Sequence, residues 1–381
     1  MANVFTALAP TLFSAAQEVA AEPFGAVDSV NANFADKGVA IGDTVTVPVA
    51  PVRTASDYTP AMTTTAGTSA TAAGVPVTIT ANKMVDWELS GEQIRSLQNG
   101  GNYEEWVRQL IVQGMRTLRN LAEADLCSVI YKGASRAVGT AGTTPFATTL
   151  DALVDARKVL RDNGAPMADL QFVMDTTAST KAFKLGIIQQ AYQAGSEQER
   201  RQGVFLKQFG FNIKESAGIQ SHTKGAGAAY DVDLTAGYVV GDNTIHLDGG
   251  TVNTTGIKAG DAVTFAGDAN VYVVKTGTTE VEADIVINRP GLRATLADAV
   301  EMTIGNSYTA NVAFERNAIV AVMRPPLIPP NANIQQRTIS DGKGMTYLLV
   351  QVAGDGMITW RLHLAWGFAV VNPEYVVNVM G

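Results

Sequence analysis

Cysteine is nearly missing from this chain. Cys127 stands alone among 381 residues, so no intrachain disulfide and no thiolate metal cluster can form. It falls inside a predicted long helix and reads as a buried structural thiol. Histidine is almost as scarce, with three residues, His222, His246 and His363, in different segments. His246 and His363 fall in alternating strands, where a structural or solvent-facing role is expected. Charge is thin as well. Charged residues make up 17% of the chain, against roughly 25% in ordinary soluble domains, which suits a surface covered by partners. The net charge of −8 argues against broad nucleic-acid binding, which needs clustered Lys and Arg. No run of about 18 apolar residues occurs, so no membrane span is expected. Met1-Ala2-Asn3-Val4-Phe5 places no basic region before an apolar run, so no secretory signal is expected here and synthesis in the cytoplasm is.

The motifs that carry common chemistries are missing too. HExxH, paired CxxC, GxxxxGK[ST] and GxSxG do not occur. Gly342-Lys343-Gly344 has only a fragment of a phosphate loop and reads as a hairpin turn. Asp242, Asp248 and Asp261 sit beside Gly or Asn, but without EF-hand spacing, and read as turn residues. No acidic pair is spaced for general acid–base work. The sequence therefore assigns no catalytic residue, no cofactor and no metal ligand, and the chain reads as a non-enzyme.

What is present is organisation. A hydrophobic content of 46% and this length give a globular chain with material for two or three domains. Residues 1–41 read as an arm in which Thr11 caps a short helix through Phe13, Ala16 and Val19, followed by irregular chain. Thr44-Val45-Thr46-Val47-Pro48-Val49 and Val75-Pro76-Val77-Thr78-Ile79-Thr80 alternate as strands of a wide hairpin over 42–82. Pro48 and Pro76 suit edge strands, since each removes a ladder donor. The Thr/Ala/Gly stretch 63–74 between them has almost nothing to bury. A two-stranded hairpin is marginal alone in water, so it is expected to lie on a neighbouring copy of the chain. Thr63, Thr64, Gly67 and Gly74 are its candidate intersubunit contacts.

Ser90 and Gln93 have capping-box spacing for a short helix that stops at Gly100-Gly101. A long helix then runs from about 103 to Lys132, roughly 45 Å at 1.5 Å per residue. Asn102 is its expected N-cap, with Glu104 and Glu105 at the positive end of the dipole. Trp106, Val107, Leu110, Ile111, Leu118, Leu121, Ala122, Leu126 and Val129 are its expected buried stripe, and Gly114 a place of close approach. Mixed α and β follow: a helix over 149–162, a strand at 170–174, a helix from 176 to about 185, and a strand or strand pair over 205–214. Glu197, Glu199, Arg200 and Arg201 form a solvated face or, in a shell, intersubunit salt bridges. Between 219 and 304 short strands at 230–234, 244–247, 262–265, 271–274 and 284–287 alternate with Gly-rich turns, the pattern of a small all-β barrel. More buried strands from Ala318 onward, through 346–352 and 358–366, show that this module interrupts a larger domain. Arg324-Pro325-Pro326-Leu327-Ile328-Pro329-Pro330 is a stiff connector, and the four tryptophans, Trp87, Trp106, Trp360 and Trp366, read as packing residues.

This order of arm, hairpin, spine helix and split α/β domain resembles the major capsid proteins of tailed bacteriophages. It is most similar to the lambdoid short-tailed-phage type with an inserted β-barrel domain. The resemblance is carried by Val77-Thr78-Ile79-Thr80 leading to Leu89-Ser90-Gly91-Glu92, by Gly256 to Gly267, by Ala313-Phe314-Glu315-Arg316-Asn317-Ala318, and by Trp360-Arg361-Leu362-His363 with Asn372-Pro373-Glu374. It implies an α+β capsid fold divided into an N-terminal arm (1–41), an extended loop (42–82), a peripheral domain (83–147) with its spine helix at 103–132, a discontinuous axial domain (148–218 and 306–381), and the inserted barrel (219–305). Whether some of the last strands return to the peripheral sheet is left open. The implied function is self-assembly, through pentamers and hexamers, into an icosahedral head that encloses double-stranded DNA and expands from a procapsid. Scaffolding and portal proteins are the implied partners, DNA being held without sequence specificity. The implied location is the virion, after assembly in the host cytoplasm. An extracellular adhesin or fibre-type β protein, and an encapsulin-like compartment shell, are the alternatives.

Overall fold

The computed structural model describes residues 14–19, 25–34, 38–49, 55, 57, 73–143, 145–146, 148–185, 207–251, 255–329, 334–340 and 345–381. Residues 14–19 are helical. Strands β1 (Asn31–Phe34), β2 (Thr44–Val49), β3 (Ala73–Thr78) and β4 (Ala81–Ser90) precede helices α1 (Gly91–Asn99) and α2 (Tyr103–Lys132). Next come β5 (Arg136–Val138), α3 (Asp151–Asp162), β6 (Leu170–Met174), α4 (Thr176–Phe183), β7 (Phe211–Glu215) and β8 (Ser221–His222). A run of strands follows, β9 (Tyr230–Val232), β10 (Thr244–Asp248), β11 (Ala262–Phe265), β12 (Val271–Thr276), β13 (Ala283–Ile287) and β14 (Glu301–Ile304). The chain closes with β15 (Tyr308–Glu315), β16 (Ile319–Arg324), β17 (Ile334–Ser340), β18 (Thr346–Ala353), β19 (Met357–Val370) and β20 (Val376–Met380).

α2 is built as the sequence predicts, with one side paved by Val107, Ile111, Met115, Leu118, Ala122, Leu126 and Ile130, all buried. That three- and four-residue spacing lays a single stripe on a sheet. Two members of the expected stripe fall off it: Trp106 and Leu121 remain 45% and 44% exposed. Neighbouring residues lie about 100° apart around the helix, and Trp106 and Leu121 fall on the solvent side of the buried Val107 and Ala122. Gly114 faces the sheet, where an added Cβ would stand 3.4 Å from both Trp87 and Leu362. The expected Asn102 cap makes no side-chain bond, because its backbone (φ −106°, ψ 5°) lies outside the extended region that aims a capping oxygen at the next amides. The capping box at α1 does form, with Ser90 Oγ accepting from Gln93 N and Gln93 Oε1 accepting from Ser90 N.

Among the described residues, one sheet has the order β1-β16-β19-β18-β17, with β4 running antiparallel along β19. The strands from Ile319 to Val370 thus return to the sheet that covers α2, the arrangement the sequence left open. β16 is buried on both faces: Ile319, Ala321 and Met323 join the main core with α2, while Val320 and Val322 face the base of the hairpin. A second sheet runs β5-β20-β15-β6-β7, with α3 and α4 packed through Leu153, Leu160 and Ala178 against Phe172, Phe211 and Val377.

The third unit is a closed barrel. β9, β10, β13, β12, β11 and β14 pair in turn, and β14 returns to β9. Tyr230, Ile245, Leu247, Val263, Tyr272, Val274 and Ile285 fill its interior. It is inserted between β8 and β15, which are themselves hydrogen-bonded neighbours (Tyr308 opposite His222), so the insert's two ends lie together on the host. β12 also pairs with β5 (Val271 opposite Ala137), so the barrel wall continues into the host sheet. The fold is α+β with an inserted small barrel.

The arm differs from its expected irregularity. Ala15, Ala16 and Val19 lie in the main core. Asn31–Phe34 pairs in parallel with β16, and Val39 N donates to Pro325 O. The reason is a pair of charged residues one turn apart on the inner side of α2. Glu123 accepts from Ala26 N (2.6 Å), Val27 N (2.9 Å) and Ser216 Oγ (2.7 Å). Arg119 donates to Val19 O (3.2 Å) and to Asp28 Oδ1 (3.0 Å). Both are buried, and buried charges persist where such partners satisfy them.

Candidate assembly surfaces

Of the residues expected at an assembly contact, Gly74 is the one among the described residues. Thr63, Thr64, Gly67, Glu197, Glu199, Arg200 and Arg201 lie outside them, as does Gly342-Lys343-Gly344. Gly74 sits in β3 opposite Pro48, and Pro76 opposite Thr46. β2 and β3 form a two-stranded sheet of their own. Thr44, Thr46, Pro48, Gly74 and Pro76 are exposed, so both prolines and Gly74 share one outward face. An added Cβ at Gly74 would collide with the Thr46 side chain.

The inward face is not left to a neighbour. Val45, Val47, Val49 and Val75 pack on a cluster of Val39, Val77, Ile79, Val320, Val322, Ala365 and Val371. Pairing extends past the strands, with Gly42 N donating to Ile79 O and Ile79 N to Asp43 O. Thr80 N donates to Trp366 O, and Gly367 lets the two chains touch, since a Cβ there would stand 2.7 Å from the Thr78 carbonyl carbon and 2.9 Å from Ile79 Cα. The base of the hairpin is therefore supported by its own subunit, which corrects the expectation that the whole element rests on another copy. The second strand also starts earlier than the sequence indicates, at Ala73 and not Val75, because Gly74 and Ala73 continue the ladder to Val49.

Apolar side chains remain uncovered on several elements. Besides Trp106 and Leu121 on α2, Val239 and Val240 in the β9–β10 connection are 63% and 56% exposed, and Ile41 beside the hairpin is 65% exposed. The other tryptophans are packing residues: Trp360 and Trp366 are fully buried, with Trp366 Nε1 donating to Asp125 Oδ2 (3.0 Å), and Trp87 packs on the main core.

The one buried His–carboxylate contact among the described residues joins the barrel to α2. His222 Nε2 lies 2.7 Å from Asp261 Oδ1 and Nδ1 lies 3.4 Å from Tyr131 Oη. Asp261 also accepts from Gly225 N (3.0 Å) and Lys258 N (2.7 Å), and Tyr308 Oη donates to Gly260 O (2.7 Å). Asn288 Nδ2 donates to Lys132 O and Ala134 O at the end of α2. His222 and Asp261 are buried, and their bonds tie a barrel loop to the spine, which is a clamp and not an exposed reacting pair. Asp261 is thus more than the turn residue expected, whereas Asp242 does cap a turn, accepting from Val239 N (2.8 Å). Burial, reinforced by the nearby Glu123 carboxylate, pushes the Cys127 thiol far up, in line with a structural role. A cavity of about 280 Å³ between β5, α3 and β12 is lined by Arg136, Lys158, Asp155 and Asp162. Arg136 there is engaged by Asn270 Oδ1, Asn163 Oδ1 and Val159 O.

No family model matches the sequence, and no curated protein matches it. Solved structures do align over most of the chain. A chain of Mycobacterium phage Che8 is 15% identical, with 89% of this chain and 84% of that chain covered and a TM-score of 0.48. The capsid of the cyanophage P-SCSP1u is 12% identical, with 93% and 86% covered and a TM-score of 0.49. A virus-like particle from Pyrococcus furiosus is 9% identical, with 98% of each chain covered and a TM-score of 0.44. Identities and scores this low leave the functional reading to rest on this chain's own geometry. Among the described residues, no helix is long and apolar enough to cross a membrane.

Proposed function

We propose that this chain is a structural shell subunit, the major capsid protein of a tailed bacteriophage. Copies assemble through pentamers and hexamers into an icosahedral head that encloses double-stranded DNA and expands from a procapsid. The observation that carries this reading is the arrangement itself: a long spine helix under one sheet, a hairpin that forms a two-stranded sheet of its own, and a closed barrel inserted between the neighbouring strands β8 and β15. A closed shell repeats each contact many times through its symmetry, so individually weak contacts suffice. The low charge density of 17% fits the same use. The division into arm, extended loop, peripheral, axial and inserted domains belongs to this proposal, with the strands from Ile319 to Val370 placed in the peripheral part beside the spine helix. So do a scaffolding protein and a portal as partners, assembly in the host cytoplasm, and contacts through Thr63, Thr64, Gly67, Gly74, Glu197, Glu199, Arg200 and Arg201.

The hairpin tip tests the reading without touching the core. Residues 67–74 replaced by a short turn, which trims Ala73 and Gly74 from the end of β3, are expected to leave a subunit that still melts cooperatively but no longer yields shells. Sedimentation velocity separates the outcomes. Normal particles from this variant contradict the tip's part in assembly.

A further inference from the structure

A single imidazole on the outer wall of the barrel is ringed by carboxylates from the two strands that flank its own. β9, β10 and β13 lie side by side in that order. Ile245 and Leu247 of β10 point inward and are fully buried, so alternation turns His246 outward. His246 stands directly opposite Asp284 of β13. Asp233, just past β9, donates its N–H to the His246 carbonyl, and Glu282 precedes Asp284 by two residues on the same side of the pleat. These neighbours meet at the ring. Nδ1 lies 2.7 Å from Asp284 Oδ1, while Nε2 lies 3.6 Å from Glu282 Oε1 and 4.0 Å from Asp233 Oδ2. The donor atoms of Asp233, His246 and Glu282 all fall within 4.8 Å of one another.

We propose that Asp233, His246 and Glu282 form a binding site for a divalent transition cation of the zinc class, with Asp284 orienting the imidazole. Three carboxylates crowded around one ring in an already acidic protein repel one another, and a dication offsets two of those charges. Asp284, accepting from Nδ1–H, directs the Nε2 lone pair at the other two carboxylates, the carboxylate–histidine–metal arrangement of known sites. One imidazole and two carboxylates leave a fourth tetrahedral position for water. Bonds of about 2.0 Å place tetrahedral donors about 3.3 Å apart, and the exposed Asp233 and Glu282 reach that spacing by side-chain rotation alone. An imidazole donor selects against Mg²⁺ and Ca²⁺, which prefer all-oxygen shells. The cation ties β9, β10 and β13 together from outside, and the site stands independently of the shell reading.

The test is calorimetric titration of ZnCl₂ into the full-length, chelator-treated protein carrying no polyhistidine tag. One saturable equivalent per chain is expected, lost in His246→Ala and weakened about tenfold to a hundredfold in Asp284→Asn. His246 is on the barrel's outer wall, so His246→Ala is expected to keep the metal-free thermal transition of the parent, which separates a lost site from a lost fold. Excess CaCl₂ or MgCl₂ is expected to leave zinc bound. Zinc binding that is equal in parent and His246→Ala, or not saturable in either, overturns the site, and displacement by calcium overturns its class.

Discussion

Trp366→Asp is expected to abolish cooperative folding of the subunit. Trp366 is fully buried in β19, pairs with Ala81 at the start of β4, and hydrogen-bonds Asp125 of α2 through its indole N–H. Truncating a buried tryptophan costs about 3–5 kcal/mol. The new carboxylate is also desolvated, beside the carboxylate of Asp125, which adds several kcal/mol unless it is protonated. Domains hold about 5–15 kcal/mol in total, so the sum is comparable with the whole. Trp366→Phe keeps most of the volume and loses the bond to Asp125, and is expected to fold with a lower melting temperature. Circular dichroism melts of both variants decide the matter. A soluble Trp366→Asp protein that melts cooperatively at the parent temperature contradicts the packing described for β19.

Glu123→Ala is expected to release the arm from the spine helix while the barrel keeps its structure. The Ala26 and Val27 amides and the Ser216 hydroxyl all end on this one buried carboxylate. Removing it strands three buried donors at about 1–3 kcal/mol each, of which water entering the vacated space recovers a part. A net loss of about 3–5 kcal/mol follows. Glu123→Gln keeps the volume but turns an NH₂ group toward one of the three donors, so it retains part of the loss. Urea midpoints give the size of the effect, and hydrogen exchange gives its place. Amides 26 and 27 should exchange faster, with those of β11 and β12 unchanged. Unaltered exchange at 26 and 27 would sink the clamp.

These two residues also mark where the sequence was legible and where it was not. α2 announced itself through 30 residues of periodicity, and five barrel strands through alternation between Gly-rich turns. The sixth, β14, spans four residues with two of them exposed, too short for alternation to stand out. β17 is a polar edge strand in which Ile339 alone is fully buried. β20 escaped because Asn378 interrupts its apolar run, yet all five residues are buried, with Asn378 Nδ2 donating to Tyr131 O. Arg119 and Glu123 escaped the sequence reading, because their partners lie about a hundred residues away and only tertiary structure joins them. The same holds for His246, whose carboxylates converge once the barrel closes. The candidate contacts read as composition, a loop with nothing to bury, and composition does not say which residues touch.

Negative-stain electron microscopy of the protein, expressed alone and with a candidate scaffolding protein, tests the central claim most directly. Closed icosahedral shells are expected in at least the co-expressed sample. Small discrete oligomers under both conditions would contradict that claim.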